Sequence, residues 1–176
     1  MGIIDLGLND KNENMLKYQP MDLNKEDQIT TEILKSFVSQ FSKKELEPIL
    51  KFDPEPQSPA PSDLPVLALN TYTFKTVLSD YPDKDVFVFF AGPACFNCNA
   101  VWPSFEKTVR ALHEGSTSIL FAYVDLQYNE LQEYAQVYSF PTIRLYPVNP
   151  EDPAKRQVAL NYDQHADFAF FKEFLE

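Results

Sequence analysis

The stretch from residue 84 to residue 98 reads Lys-Asp-Val-Phe-Val-Phe-Phe-Ala-Gly-Pro-Ala-Cys-Phe-Asn-Cys. Its run from Asp85 to Ala91 is almost wholly apolar, which is typical of a strand buried on both faces of a sheet. Gly92 and Pro93 break this pattern, and after them the sequence predicts a long helix from Cys95 to about His113. The two cysteines therefore lie where a buried strand gives way to a helix.

Segments on either side of this stretch extend the alternation of strands and helices. We predict further strands at 66–69, 119–125, 142–146 and 157–160, and further helices at 72–79, 130–138 and 167–175. The alternating part requires parallel crossovers, whereas the two adjacent strands at the end favour a closing hairpin. The predicted fold class is α/β, with a central mixed sheet covered by helices on both faces.

The first third of the chain has a different pattern. Residues 30–41 carry apolar side chains at helical spacing with Thr30 as the cap, and residues 3–6 favour a strand. We interpret residues 1–51 as the tail of a preceding domain; an extra helix docked on the following domain accounts for the pattern equally well. Residues 52–65 contain five prolines and predict a linker, which leaves residues 66–176 as the main domain.

Composition excludes several classes of partner. The 176 residues carry a formal net charge of -11, so the surface repels phosphate backbones and anionic membranes. We expect neither nucleic acid nor a membrane among its partners. The apolar runs are too short to span a bilayer, and the start lacks the pattern of a secretory signal. We expect a chain that is not secreted or whose start has been cut away.

The chain has two cysteines, Cys95 and Cys98, which excludes a scaffold of several disulfides. A cysteine at a helix N-terminus loses its proton more readily than an ordinary thiol, which favours Cys95 as a nucleophile. Cys98, one turn further on, could then attack a mixed disulfide at Cys95 and release the substrate.

Three other hypotheses for the cysteines stay open at this point. Half of a zinc site would need two more ligands, and the two histidines, His113 and His165, are isolated from the pair. Two ordinary buried cysteines fit poorly beside the turn-forming Gly92 and Pro93. A disulfide with only a structural role is the third. We expect no metal and no cofactor.

Beyond these residues, the sequence resembles a known family. Residues 84–95 are similar to the active-site approach of a catalytic domain of the protein disulfide isomerase family. Pro103 and the segment Phe140-Pro141-Thr142 match that family's active-site helix and its cis-proline loop. Residues 30–53 are similar to the helix and linker between its third and fourth thioredoxin-like domains. The chain thus resembles the tail of a noncatalytic domain followed by the C-terminal catalytic domain.

The resemblance implies a thioredoxin-like fold and a thiol–disulfide oxidoreductase or isomerase. Its catalytic residues would be Cys95 and Cys98, and its clients would be proteins with cysteines or disulfides, with glutathione as a further candidate partner. The implied substrate-binding residues are Phe96, Asn97, Tyr138, Phe140 and Pro141. The implied compartment is the lumen of the endoplasmic reticulum, although the sequence given carries neither a signal peptide nor a retrieval signal.

The sequence departs from the family at three tuning positions. Asn97 stands where the family has a histidine that makes the disulfide oxidising, and Phe89 stands where it keeps a buried glutamate that moves a proton. The family's mobile arginine would fall near Ala166, where no arginine occurs; His165 is the nearest substitute. We expect exchange that is slow or shifted to a more reducing potential.

Two alternatives to a working enzyme stay open. The cleft around Phe96, Tyr138 and Phe140 could hold apolar client segments as a chaperone-like module with vestigial redox activity, although such aromatic side chains more often belong to a core. A structural subunit of a larger assembly is the weakest hypothesis.

Overall fold

The computed structural model describes residues 2–5, 16–20, 28–113, 118–131, 135–149, 151 and 167–175. The chain forms two compact units, Met1–Leu50 and Lys51–Glu176. In the first unit, strands β1 (Ile3–Asp5) and β2 (Leu16–Tyr18) pair antiparallel, and helix α1 spans Thr31–Ser42. The predicted helix is confirmed, and the Oγ1 of Thr30 caps it by accepting a hydrogen bond from the N–H of Ile33 at 3.3 Å.

The second unit is built on a four-stranded sheet in the order β3-β5-β4-β6. Strands β3 (Val66–Leu69), β4 (Asp85–Ala91) and β5 (Ile119–Asp125) are parallel, and β6 (Thr142–Tyr146) pairs antiparallel with β4. Helices α2 (Thr71–Asp80), α3 (Cys98–His113) and α4 (Phe168–Leu175) complete this unit. The predicted α/β class with a mixed sheet is confirmed.

Strand β4 separates two hydrophobic cores because its side chains alternate between the faces of the sheet. Phe87 and Phe89 pack with α3 and α4 in the first core, and Val88 and Phe90 pack with α2 in the second. All four side chains are at most 1% exposed. The helices therefore cover both faces, as the continuous apolar run of β4 predicts.

Two predicted helices differ from the structure. Helix α3 begins at Cys98 rather than Cys95. The predicted helix at 130–138 is wrong for the described part of that segment: residues 130–131 and 135–138 are not helical. There the carbonyl of Gln136 accepts a hydrogen bond from the guanidinium of Arg144. The predicted strand at 157–160 lies outside the described residues.

A buried polar network ties the start of the predicted linker to the sheet. The Oδ1 of Asn129, a residue only 3% exposed, accepts hydrogen bonds from the backbone N–H groups of Asp53 at 3.0 Å and Thr71 at 3.1 Å. Its Nδ2 donates to the carbonyl of Asp125 at 2.9 Å. The hydroxyl of Thr71 donates in turn to the carbonyl of Lys51 at 2.6 Å. One asparagine thus links three segments of the domain.

The other end of the proline-containing segment also lies on the domain. Leu64 is 7% exposed and belongs to the first core, and Ala60 packs against that core. The exposed pair of Arg110 and Asp63 adds a contact at 3.1 Å. The domain boundaries at 51/52 and 65/66 stay predictions.

Replacing Asn129 with Ala leaves the buried N–H of Thr71 and the partly buried N–H of Asp53 without their acceptor. Because each unsatisfied buried group costs about 1–3 kcal/mol, we expect the free energy of unfolding to fall by roughly 2–4 kcal/mol. Urea unfolding followed by circular dichroism measures this change. Gln127→Ala, at an exposed position nearby, is the control and should stay within about 0.5 kcal/mol of wild type. Equal urea midpoints for the two variants would contradict the role of Asn129.

Candidate active site

The loop between β4 and α3 forms two tight turns around the cysteines. Ala94 adopts the left-handed conformation with φ 55°, and the N–H of Phe96 donates back to its carbonyl at 2.9 Å. The N–H of Cys98 donates to the carbonyl of Cys95 at 3.3 Å, and the bond from Val101 N–H to the carbonyl of Asn97 at 3.1 Å has α-helical spacing. The predicted helix start at Cys95 was wrong because these turns use the backbone before Cys98.

Cys95 and Cys98 form a disulfide with an S–S distance of 2.01 Å and a Cα–Cα distance of 5.4 Å. Both residues are half-buried, and Cys98 packs against the first core. The pair is therefore in its oxidised form, and its sulfurs lie between the core and the surface. The predicted roles of the two cysteines, nucleophile and resolving thiol, stay predictions.

The segment before β6 forms the second loop of the site. The peptide bond between Phe140 and Pro141 is cis, as the resemblance implies. The hydroxyl of Thr142 donates to the carbonyl of Ser139 at 2.7 Å and closes the loop. Since Thr142 lies opposite Phe90 in the antiparallel pair of β6 and β4, the start of β6 shares a sheet edge with the end of β4. The cis-proline loop and the cysteine loop therefore emerge at the same edge.

Gly92 and Phe140 bring these two loops into contact. A Cβ atom added to Gly92 would lie 2.2 Å from Cε2 of the Phe140 ring. The ring thus fills the space that any other side chain at position 92 would occupy. Sequence analysis missed this role of Gly92, because a Gly-Pro pair after a strand indicates only a turn.

The other predicted substrate-binding residues lie largely in solvent. Phe96 is 89% exposed and Tyr138 is 86% exposed, and Asn97 is also exposed in the loop between the cysteines. The hydroxyl of Tyr138 donates to the side chain of Gln136 at 2.9 Å. Pro141 is buried. Phe96 and Tyr138 are the two most exposed large hydrophobic side chains among the described residues, and their part in substrate binding stays a prediction.

An aromatic cluster lies on the core side of Cys98. Phe89, 1% exposed, has ring centroid distances of 5.1 Å to Trp102, 5.3 Å to Phe105 and 6.2 Å to Tyr123. Burial raises the pKa of Tyr123 to about 12, and the nearby negative charge of Asp125 contributes to the rise. None of these four aromatic side chains carries a charge at neutral pH. Position 89 thus contributes packing where a carboxylate would contribute proton transfer.

The second unit is similar to proteins of known family. The Thioredoxin family model matches residues 65–167. The chain is 30% identical over 137 residues to a protein disulfide-isomerase of Humicola insolens, and 32% identical over 137 residues to one of Alternaria alternata. These alignments cover 77% and 74% of this chain.

The chain spans only part of these relatives, since the alignments cover 26% and 30% of their lengths. Among solved structures, the first two thioredoxin domains of Naumovozyma dairenensis Eps1p superpose with a TM-score of 0.51 at 25% identity. That match covers 65% of this chain and 41% of the other. Among the described residues, no helix has the length and apolar character needed to span a membrane.

Proposed function

Because the chain belongs to the thioredoxin family, with a domain of the protein disulfide-isomerase type, we propose that it is a thiol–disulfide oxidoreductase acting on client proteins. The observation that carries this proposal is the Cys95–Cys98 disulfide, which joins the loop after the buried strand β4 to the first residue of helix α3. A half-buried pair in such a loop can be reached by a client sulfur while the sheet holds both residues in position.

In the reducing direction, the thiolate of Cys95 attacks one sulfur of a client disulfide. A Cys95–client bond forms, the client S–S bond breaks, and the second client sulfur leaves as a thiolate. The thiolate of Cys98 then attacks the sulfur of Cys95 and releases the first client sulfur. The client gains two electrons, and the chain is left with the Cys95–Cys98 disulfide. Oxidation of a client dithiol is the reverse sequence.

The surroundings of the pair favour slow exchange with a reducing potential. Asn97 provides no positive charge to stabilise a thiolate at Cys95, so the disulfide is less oxidising than one flanked by histidine. Phe89 and its aromatic neighbours offer no base for the proton of Cys98. The region near Ala166, where the family's arginine would lie, falls outside the described residues.

The client is proposed to lie across both loops. Phe96, Asn97 and Tyr138 offer exposed contacts, and the backbone beside Phe140 and Pro141 would pair with the client chain. Clients with cysteines or disulfides are the proposed partners, and glutathione is a candidate small thiol. The net charge of -11 favours clients that are not acidic.

The organisation and compartment of the protein are part of the same proposal. Residues 1–51 would be the tail of a noncatalytic thioredoxin-like domain, residues 52–65 a linker, and residues 66–176 the redox domain. The two compact units, Met1–Leu50 and Lys51–Glu176, support a division between residues 50 and 51, and residues 52–65 belong to the second unit. The proposed compartment is the lumen of the endoplasmic reticulum, where the family typically works.

A second candidate function is a chaperone-like module that binds apolar segments and has little redox activity. The exposures of Phe96 and Tyr138, 89% and 86%, favour this alternative. Aromatic side chains of this kind contact unfolded segments whether or not exchange follows.

Graded glutathione buffers followed by alkylation and mass analysis should give a reversible dithiol–disulfide transition. We expect a midpoint between about -180 mV, typical of protein disulfide isomerase, and about -270 mV, typical of thioredoxin, because a stabilising charge is missing at Asn97. The signal is unambiguous because the chain has two cysteines. A pair that stays locked as a disulfide, or never forms one, would rule out the oxidoreductase.

Cys95→Ala separates the enzyme from the binding module. We expect it to abolish reduction of insulin, because the nucleophile is lost, while suppression of client aggregation stays unchanged. Cys98→Ala is the matched variant, which should accumulate a mixed disulfide at Cys95 because the resolving thiol is missing. Insulin reduction by Cys95→Ala at the wild-type rate would contradict the proposed nucleophile.

Phe89→Glu tests whether the missing carboxylate limits turnover. Because proton transfer by a positioned group accelerates a step substantially, we expect the rate of insulin reduction to rise about tenfold or more. Phe89→Gln is the matched control, since it disturbs the aromatic cluster to the same extent without a titrating group. Both variants should unfold at lower urea concentration than wild type because each buries a polar side chain. Equal rates for the two folded variants would contradict proton transfer as the limit.

A further inference from the structure

Gly92 occupies a position where space, rather than backbone conformation, requires glycine. Its φ lies outside the left-handed range, so an L-residue could adopt the same backbone. An added Cβ, however, would lie 2.2 Å, 2.3 Å and 2.5 Å from Cε2, Cζ and Cδ2 of Phe140. Carbon atoms in contact are normally about 3.5–4.0 Å apart, so the ring would have to move by about 1 Å or more. Alanine at this position is therefore a steric probe of one contact.

The residues after Phe140 limit how its backbone can respond to such a clash. Pro141 and Thr142 directly after it are buried, and Thr142 is held by its bond to the carbonyl of Ser139. A displaced ring would therefore pull against a fixed strand or swing toward solvent. The first movement shifts the cis-proline loop relative to the cysteine loop, and the second moves the Phe140 ring away from the loop that it contacts.

We propose that Gly92 and Phe140 form a size-matched pair that positions these two loops against each other and so determines how tightly a client chain is held beside Cys95. The pair rests on the proposed function, because its effect is on client binding. Gly92 is a positioning residue here: it has no side chain that could touch a client, and it acts through the ring of Phe140.

A double-mutant cycle with Gly92→Ala, Phe140→Ala and the combined variant tests the pair. KM and kcat are measured for reduction of a peptide that contains one disulfide, with excess reduced glutathione as the electron donor that returns Cys95 and Cys98 to the dithiol after each turnover. Because misplacement of a binding group by about 1 Å can cost up to a hundredfold, we expect Gly92→Ala to raise KM by roughly ten- to hundredfold. In the Phe140→Ala background, where the ring is absent, the same substitution should change KM less than about twofold. Ser139→Ala, an exposed neighbour of Phe140, is the control and should leave KM unchanged.

If the wild-type chain exchanges disulfides, either of two results would overturn the proposal. An equal rise in KM in both backgrounds would mean that Gly92 does not act through the ring. A fall in kcat with KM unchanged would place the effect on cysteine chemistry rather than on client binding. Near-ultraviolet circular dichroism checks that each variant is folded. If Gly92→Ala does not fold, the same cycle is run with Phe140→Leu, comparing that variant with and without Gly92→Ala.

Measurements on the wild-type chain distinguish failure of the oxidoreductase proposal from failure of the Gly92–Phe140 proposal. If the wild-type chain does not exchange disulfides at all, the oxidoreductase proposal fails by itself. The cycle is then measured as the dissociation constant of the same peptide with its cysteines reduced and alkylated. Weaker binding after Gly92→Ala that disappears in the Phe140→Ala background still supports the size-matched pair, and equal weakening in both backgrounds overturns it.

Discussion

Burial of β4 on both faces is the constraint on which the rest of the domain depends. Its alternating side chains supply the first core with Phe87 and Phe89 and the second with Val86, Val88 and Phe90, so both helical layers attach to one strand. Its neighbours on both sides, β5 and β6, complete its backbone hydrogen bonds. The cysteine loop leaves the end of this strand. A strand that is buried on both faces and paired on both sides therefore leads directly into the cysteine loop.

The same strand links stability to chemistry at position 89. A phenylalanine there joins Trp102, Phe105 and Tyr123 in a packed aromatic cluster on the core side of Cys98, which strengthens the first core. A carboxylate at this place would move protons but would have to be buried, which costs stability. Packing and proton transfer thus compete for one position. The proposed slow exchange follows from the phenylalanine at position 89, which packs in the core and cannot transfer a proton.

The loops near the site are held by two different kinds of contact, one polar and one apolar. Near β3, the buried side chain of Asn129 satisfies backbone groups of three segments and fixes the chain at residues 51–53. Near β6, the contact of the two loops is apolar, between a glycine and an aromatic ring. A group of hydrogen bonds around one side chain tolerates little change in geometry. The ring of Phe140, in contrast, can shift when a larger residue replaces Gly92. The adjustable contact lies beside the disulfide.

The sequence by itself determined the strands at 66–69, 85–91, 119–125 and 142–146, because each is a short apolar run between turn-forming residues. It also limited any disulfide within the chain to Cys95 with Cys98, because the chain has no other cysteine, and the structure shows that this disulfide is formed. Only the tertiary structure decided the start of α3. The sequence pattern predicts a helix from Cys95, but residues 94–98 form turns and the helix begins at Cys98. The tertiary structure also decided the loss of helix in the described part of 130–138, the anchoring of residues 51–53 and the contact of Gly92 with Phe140. The anchoring of residues 51–53 and the contact of Gly92 with Phe140 depend on groups distant in sequence, such as Asn129 with Asp53, and local periodicity carries no information about such partners.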